Sequence, residues 1–534
     1  MRAYKIPFNS LKIFSNLIED YLKENNILKS FITSYPSLES ISNFSETKLK
    51  NYPSGNRVKL NEVLRDQYSE INCSEKVNNN LNLLSKYNSV TITTGHQLSL
   101  MTGPLYFIYK IVSVIKLTNQ LNKKKNGYRY IPVFWLASED HDFEEIRSFY
   151  YKKKIISWQQ SKSGAVGELT LEKLDCLRLF MDQELGDSES SKSIKKLIEE
   201  SYLSSNTLAE ATFKLVNSLF SRYGLIVLDP NSKKLKELAI NYFKNELLDQ
   251  SCNKFVNIQT NKIKEAYDFS YKPQVNPREI NLFYLNNGKR KRIIKSKNGF
   301  KLIGSSKEFS SSSIINELLN FPNRFSPNVL MRPLFQEIIL PNVSYVGGGA
   351  EIAYWLQLKN LFEFQKIPFP ILLIRDSCLL VSSQNLKKLK KLKISMVDLF
   401  KGKELIKKNL TLNMSKINMD LQFLKSKLDS QFKYLEELVS KTDSSFSGAV
   451  RAQKAKQYKG IDKLEKRLLK AQKRKLNDEI MSFEKIHNIL FPNEKLQERI
   501  ENFFEYYDQI GDDLIPQLIE NFDPINKSLT ILEY

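Results

Sequence analysis

The sequence predicts an α/β protein with a Rossmann-like parallel-sheet core, inserted connecting segments, and an antiparallel α-helical coiled-coil arm. Two β-branched or apolar runs flank an amphipathic helix within about fifty residues, which is a βαβ unit. Leucine and isoleucine fall on a heptad register after residue 400. A chain of 534 residues is also too long for a single hydrophobic core.

Residues 1–88 read as helical segments that pack on the core. The clearest spans 11–28, with Leu11, Phe14, Leu17, Tyr21 and Leu22 on one face. At Ser89 the character changes. Val90-Thr91-Ile92-Thr93-Thr94 has the composition of a strand buried on both faces. It ends in Gly95-His96-Gln97, and Gly103-Pro104 opens a helix to about Leu121, since proline suits a first helical turn. Ile131 to Leu136 is the next strand, running into Glu139-Asp140-His141-Asp142. Further strands are expected at 224–229, 343–346 and 371–374, where Arg375 and Asp376 follow the last apolar residue at once. A β-hairpin at 281–294, turning at Asn287-Gly288, belongs to an insertion covering about 150–325. The core is bounded at 89–395 and the coiled-coil arm at 396–490. In the arm, Ile417, Leu421, Leu424, Leu428, Leu435 and Leu438 pair with a second helix carrying Ile461, Leu464, Leu468 and Ala471. The seam shifts by one residue near Lys475. The turn between the helices is placed at 441–448, and residues 491–534 return to the core. A two-helix hairpin buries little apolar surface alone, so a second copy of the chain is the expected partner.

Composition excludes several classes. An apolar fraction of 41% with 11% aromatics argues against disorder. The N-terminus has no apolar secretory core, and no apolar run approaches the length of a membrane span. Cys73, Cys176, Cys252 and Cys378 are scattered, which fits a reducing cytoplasm and disfavours disulfides or a zinc-finger site. The net charge of +22 comes from lysine spread along the chain, without the interleaved aromatics of a single-strand platform. No nucleic-acid partner is assigned.

Three polar constellations fall at strand ends, where ligands bind in open parallel sheets. Gly95-His96-Gln97, with Lys110 on the following helix, lets backbone approach an anion near a helix N-terminus. Ser138 to Asp142 concentrates ionisable groups suited to general-base chemistry with an orienting carboxylate. A self-satisfied hydrogen-bond network is the structural alternative. Asp140-His141-Asp142 could also hold a divalent metal, but no metal ligands are assigned, because only His96 and the distant His487 could add another imidazole, and a metal requirement stays open. Tyr345-Val346-Gly347-Gly348-Gly349 turns a strand into a helix through N–H groups able to cradle phosphate or carboxylate. Upstream, the proline-bracketed segment carrying Asn328, Arg332, Glu337 and Asn342 has the profile of a shaped site.

These blocks, together with Tyr354-Trp355 and Leu496-Gln497-Glu498-Arg499, resemble the bacillithiol biosynthesis cysteine-adding family in order along nearly the whole chain. The resemblance implies a Rossmann-type core distantly similar to class I synthetases, and a coiled coil that makes a homodimer. It implies a ligase that adds cysteine to glucosaminyl-malate. ATP is the expected activator, because a carboxylate does not condense with an amine in water unaided. On this reading Asp140, His141 or Asp142 takes the amine proton or binds the ammonium, and His96 joins them in the catalytic set. Gly95, His96, Gln97 and Gly347 to Gly349 hold anionic groups. Asn328, Arg332, Glu337, Asn342 and Tyr345 line the substrate pocket, with Arg332 a partner for the malate carboxylates. Arg499 contacts the nucleotide. Many members carry Gln at the position of His96, which favours ligand hydrogen bonding over an indispensable imidazole. Two other classes stay open: a synthetase-like enzyme activating cysteine for another amine, and a basic coiled-coil structural or nucleic-acid-binding protein.

Overall fold

The computed structural model describes residues 1–160, 164–286, 288–439, 441–442 and 445–534. Its contacts divide the chain into two units, Met1–Leu379 with Gln497–Leu532, and Leu380–Leu496 with Glu533–Tyr534.

The first unit is built on β1 (Ser89–His96), α1 (Tyr106–Lys123), β2 (Arg129–Leu136), β3 (Ile226–Leu228), α2 (Met331–Ile339), β4 (Asn342–Gly347), α3 (Gly349–Trp355) and β5 (Ile371–Ile374). The five strands form one sheet in the order β5-β4-β1-β2-β3, and every neighbouring pair is parallel. This is the Rossmann-like core expected from the sequence. The β-branched run of β1 is buried at every position up to Gly95, because helices cover both sheet faces. Ile41, Phe44 and Leu49 of helix Leu38–Lys50 join Val90, Ile92, Val114, Leu117, Val343 and Leu373 in one apolar cluster. Strand order reverses between β1 and β4, so the crevice at the carboxyl ends of these two strands is where a parallel sheet receives a ligand.

Some local expectations need correction. The predicted helix at 11–28 is α-helical only over Asn16–Leu22. Lys12 and Glu24 take positive φ values of 49° and 57° and so break the helical path on either side. The helix expected to follow the glycine run is α3, a 3-10 turn at Leu356–Leu358, and a separate helix Lys359–Phe364. The predicted hairpin exists as Leu282–Asn286 paired with Lys289–Ser296, while Asn287 lies outside the described residues. It sits in a separate five-stranded antiparallel sheet whose last strand is Phe325–Pro327. That edge position tolerates Pro327, which has no N–H to donate. A second hairpin, Ser148–Tyr151 with Lys154–Ser157, turns through Lys152 and Lys153 at φ 44° and 67°. Two lysines in a left-handed turn carry none of the usual Asn-Gly pattern.

The second unit is helical. Gln422–Val439 and Ser445–Lys475 pair side by side, with Lys425 to Asp462 at 2.7 Å and Lys454 to Asp429 at 3.0 Å. The coiled-coil arm is therefore present. Ile417, placed on the heptad seam by the sequence, lies ahead of the first helix and is 47% exposed. The expected seam shift near Lys475 is a helix break at Leu476 (φ −99°, ψ 29°), after which Asn477–Leu490 continues. Asp443 and Ser444 of the predicted turn lie outside the described residues. No helix among the described residues is long and apolar enough to cross a membrane.

Candidate active site

The carboxyl ends of β1 and β4 gather two charged groups of side chains, joined by the His96-Gln97 turn. On the β4 side, Glu351 in the first turn of α3 is the hub. Its carboxylate receives Lys110 Nζ at 2.6 Å, Gly348 N at 2.8 Å and Tyr345 Oη at 3.0 Å. Burial alone would raise this carboxyl, but Lys110 and the Gly348 N–H hold it below the usual range. Lys110 also donates to Gly95 O at 3.1 Å, which ties α1 to the end of β1. Arg332 lies over the rings of Tyr345 and Trp355 and donates to Gln336 and the Tyr354 hydroxyl, so neither hydrogen bond goes to a carboxylate. Arg375, directly after β5, pairs with Glu498 at 2.7 Å and lies over the Tyr106 ring. Its Nε is buried without a hydrogen-bond partner among the described residues.

On the β2 side, Gln97 Nε2 donates to Asp140 Oδ2 and to Glu145 Oε2, both at 2.8 Å. Asp140 also accepts from the His141 N–H at 2.7 Å. Burial works against its ionisation, yet the bonds from His141 and Gln97 win and hold the carboxyl well below the ordinary range. Asp140 is therefore a fixed negative charge. Arg290, on the insertion hairpin, reaches His141 Nδ1 at 2.9 Å while Phe283 supports its guanidinium face. Behind the loop, Glu139 forms a buried ion pair with Lys236.

His96 lies between these groups, against the rings of Tyr106 and Phe107. Its Nδ1 is 3.1 Å from Gln97 O, so Nδ1 carries the proton and Nε2 is the acceptor. Burial, reinforced by Lys110, lowers its pKa to about 3. His96 is thus a neutral hydrogen-bonding group at neutral pH and no proton donor from an imidazolium.

His96, Gln97, Asp140, His141, Arg332, Tyr345, Gly347 and Gly348 lie at or beside this rim. Others are used elsewhere. Glu337 is buried with Lys48 at 2.8 Å and Asn342 at 2.6 Å, and Thr93 takes the other end of Asn342 at 2.8 Å. Asn342 opens β4, about 16 Å along the strand from Gly347 at ~3.3 Å per residue. Glu337 and Asn342 therefore brace the sheet and do not line the pocket. Asn328 Oδ1 accepts from Leu330 N and Met331 N, fixing the chain ahead of α2. Gly349 is a packing position, since a Cβ there would lie 3.0 Å from Phe14. Gly95 is too, because a Cβ would press on Trp135 O at 3.1 Å. The Gly348 N–H, expected to hold an anion, is satisfied by Glu351. Asp142 and Arg499 are exposed. Sequence reasoning gave Arg290 and Lys236 no site role, because each reaches the rim from a distant insertion. Arg375 was visible as a charge at a strand end but was given no role.

Residues 1–376 match the family model for the N-terminal Rossmann-like domain of bacillithiol biosynthesis BshC, and 378–534 match its C-terminal coiled-coil domain. The chain belongs to the BshC family. Relatives named "Putative cysteine ligase BshC" include that of Flavobacterium johnsoniae, 44% identical over 99% of both chains. That of Christiangramia forsetii is 42% identical over 99% of this chain and 98% of its own. A more distant one, from Bacillus anthracis, is 27% identical over 86% and 87%. Family membership thus extends over both the parallel-sheet core and the helical arm.

Proposed function

We propose that this protein is a cysteine ligase of bacillithiol biosynthesis, joining the L-cysteine carboxyl to the amine of glucosaminyl-malate. The names of its relatives support the reaction class. The observation that carries the chemistry is the division of charge across β1. Arg332, which bonds no carboxylate, lies on one side of His96-Gln97 with the ion pairs Lys110–Glu351 and Arg375–Glu498, and the ionised Asp140 lies on the other with Arg290 beside it. Arg332 recognises carboxylate oxygens of the malate group, its fork being suited to bidentate contact. The Arg375 Nε–H, buried and without a partner among the described residues, is a donor for a phosphate oxygen once the side chains covering it shift. ATP supplies the activation of the cysteine carboxyl when bound. Asp140 holds the sugar amine as a fixed anion. As the C–N bond forms and the activated oxygen leaves, the exposed Asp142 takes the proton from the amine nitrogen. A homodimer through the coiled coil completes the proposal.

The test combines purified protein with cysteine, glucosaminyl-malate and ATP, and scores a thiol-bearing amide product by mass. Asp140→Asn is expected to lower turnover at least tenfold. Absence of product with any nucleotide, or equal turnover in Asp140→Asn, overturns the reading. Pyrophosphate exchange with cysteine that ignores the sugar would favour another amine acceptor.

A further inference from the structure

We infer that Arg290 is a positioning residue that holds His141 as the neutral Nε2–H tautomer, so that this imidazole meets the substrate as a hydrogen-bond donor and not as a base. The kinetic part rests on the ligase reading above, and the tautomer does not. A guanidinium keeps its proton and has only donors to offer. Placed 2.9 Å from His141 Nδ1, its Nη1–H requires a lone pair on that nitrogen, which puts the ring proton on Nε2. The competing partner is Asp140 Oδ1, 3.5 Å from the same nitrogen, which would select the opposite tautomer. Asp140 is already engaged by Gln97 and by the His141 backbone N–H, and its contact with Nδ1 is the longer of the two, although the depression of its carboxyl draws on that same contact.

Arg290 is itself held on three sides. Its Nε donates to Ser326 Oγ at 3.1 Å, its Nη2 donates to Pro327 O at 2.8 Å, and Phe283 supports its face at 4.0 Å. A cation braced by two strands of the insertion sheet does not follow the imidazole around. The imidazole follows the cation. The His141 side chain is 49% exposed, and its Nε2 is left free of this contact. His96 has the reverse arrangement, with Nδ1 protonated, so the two rim histidines offer one donor and one acceptor.

The experiment is nitrogen NMR of the full chain labelled at histidine, at pH 8, with His141→Gln identifying the signals. The parent is expected to show His141 as Nε2–H, and Asp140→Asn to leave it so. Arg290→Met is expected to admit the Nδ1–H form. A parent already in the Nδ1–H form overturns the inference without any variant, as does an unchanged tautomer in a folded Arg290→Met. In turnover, Arg290→Met and His141→Gln are each expected to lower kcat about 10- to 100-fold with KM for cysteine little changed. The double variant is expected to be no worse than His141→Gln, and additive losses overturn the coupling. If the tautomer behaves as expected while no amide forms, the ligase reading fails and the assignment of Arg290 stands.

Discussion

His96 shows how one half-buried ring writes itself into the acid stability of the whole protein. Its folded pKa of about 3 lies below the ordinary 6.5, so the unfolded chain binds the extra proton. Stability from this group is complete above pH 6.5 and is lost as pH falls toward 3. His96→Gln is expected to flatten the rise of unfolding free energy between pH 4 and 6 by about 1.4 kcal/mol per pH unit, measured by urea titration at several pH values. Arg332 tests recognition at the same scale. Charged hydrogen bonds contribute roughly 1.5–3 kcal/mol each, so Arg332→Met is expected to raise KM for the dicarboxylate sugar about 10- to 100-fold. An equal loss on a sugar acceptor without the malate group would show that Arg332 does not read those carboxylates.

Elements are held in place by buried polar pairs that sequence patterns do not reveal. Lys236 is fully buried against Glu139 and also donates to Asn323 O, so it ties the loop after β2 to two distant segments of the chain. Removing one partner strands the other charge, and Lys236→Met is expected to cost about 3–5 kcal/mol in urea unfolding. Adding Glu139→Leu is expected to recover most of that loss. The strands of the parallel sheet were legible, because apolar runs ending near Gly95, Glu139 or Arg375 allow few other structures. Arg2–Pro7, Ser377–Val381 and Ser528–Glu533, which form a three-stranded sheet, were not, and the first of these corrects the all-helical reading of residues 1–88. The carboxyl-end rim was legible as the ligand side of a parallel sheet, although the pairing of β4 with β1 that places the switch point was not. The division of labour along that rim was not legible either. Glu337 and Asn342 have the composition of a ligand site, yet their polar atoms satisfy Lys48 and Thr93. The glycine run suggests an anion cradle, yet Glu351 supplies the carboxylate from three residues downstream. Pairing of that kind is decided by side-chain contacts between distant segments, which periodicity does not encode. The lysine-only turn at Lys152-Lys153 was hidden for a simpler reason, since residue type there gives no hint of positive φ.

At the scale of the molecule, the helical arm leaves large side chains in solvent. Phe423 and Leu464 are each 56% exposed and Tyr434 is 64% exposed, an amount of apolar surface that fits a second arm. The protein is expected to sediment at twice 62.2 kDa, and Phe423→Glu with Leu464→Glu to sediment as a monomer. A parent that runs as a monomer at micromolar concentration removes the dimer from the proposal. The central sheet has a separate consequence, for biosynthesis. β1 and β4 are hydrogen-bonded neighbours, yet Thr91 and its partner Asn342 are 251 residues apart in the chain. At translation rates of ~5–20 residues per second, β1 waits roughly 10–50 s on the ribosome before β4 emerges to cover its open edge. An uncharged, β-branched strand with a bare edge is the kind that pairs with the wrong chain. The nascent protein therefore needs its early helices, or a chaperone, to shield that strand well before any crevice exists to bind a substrate.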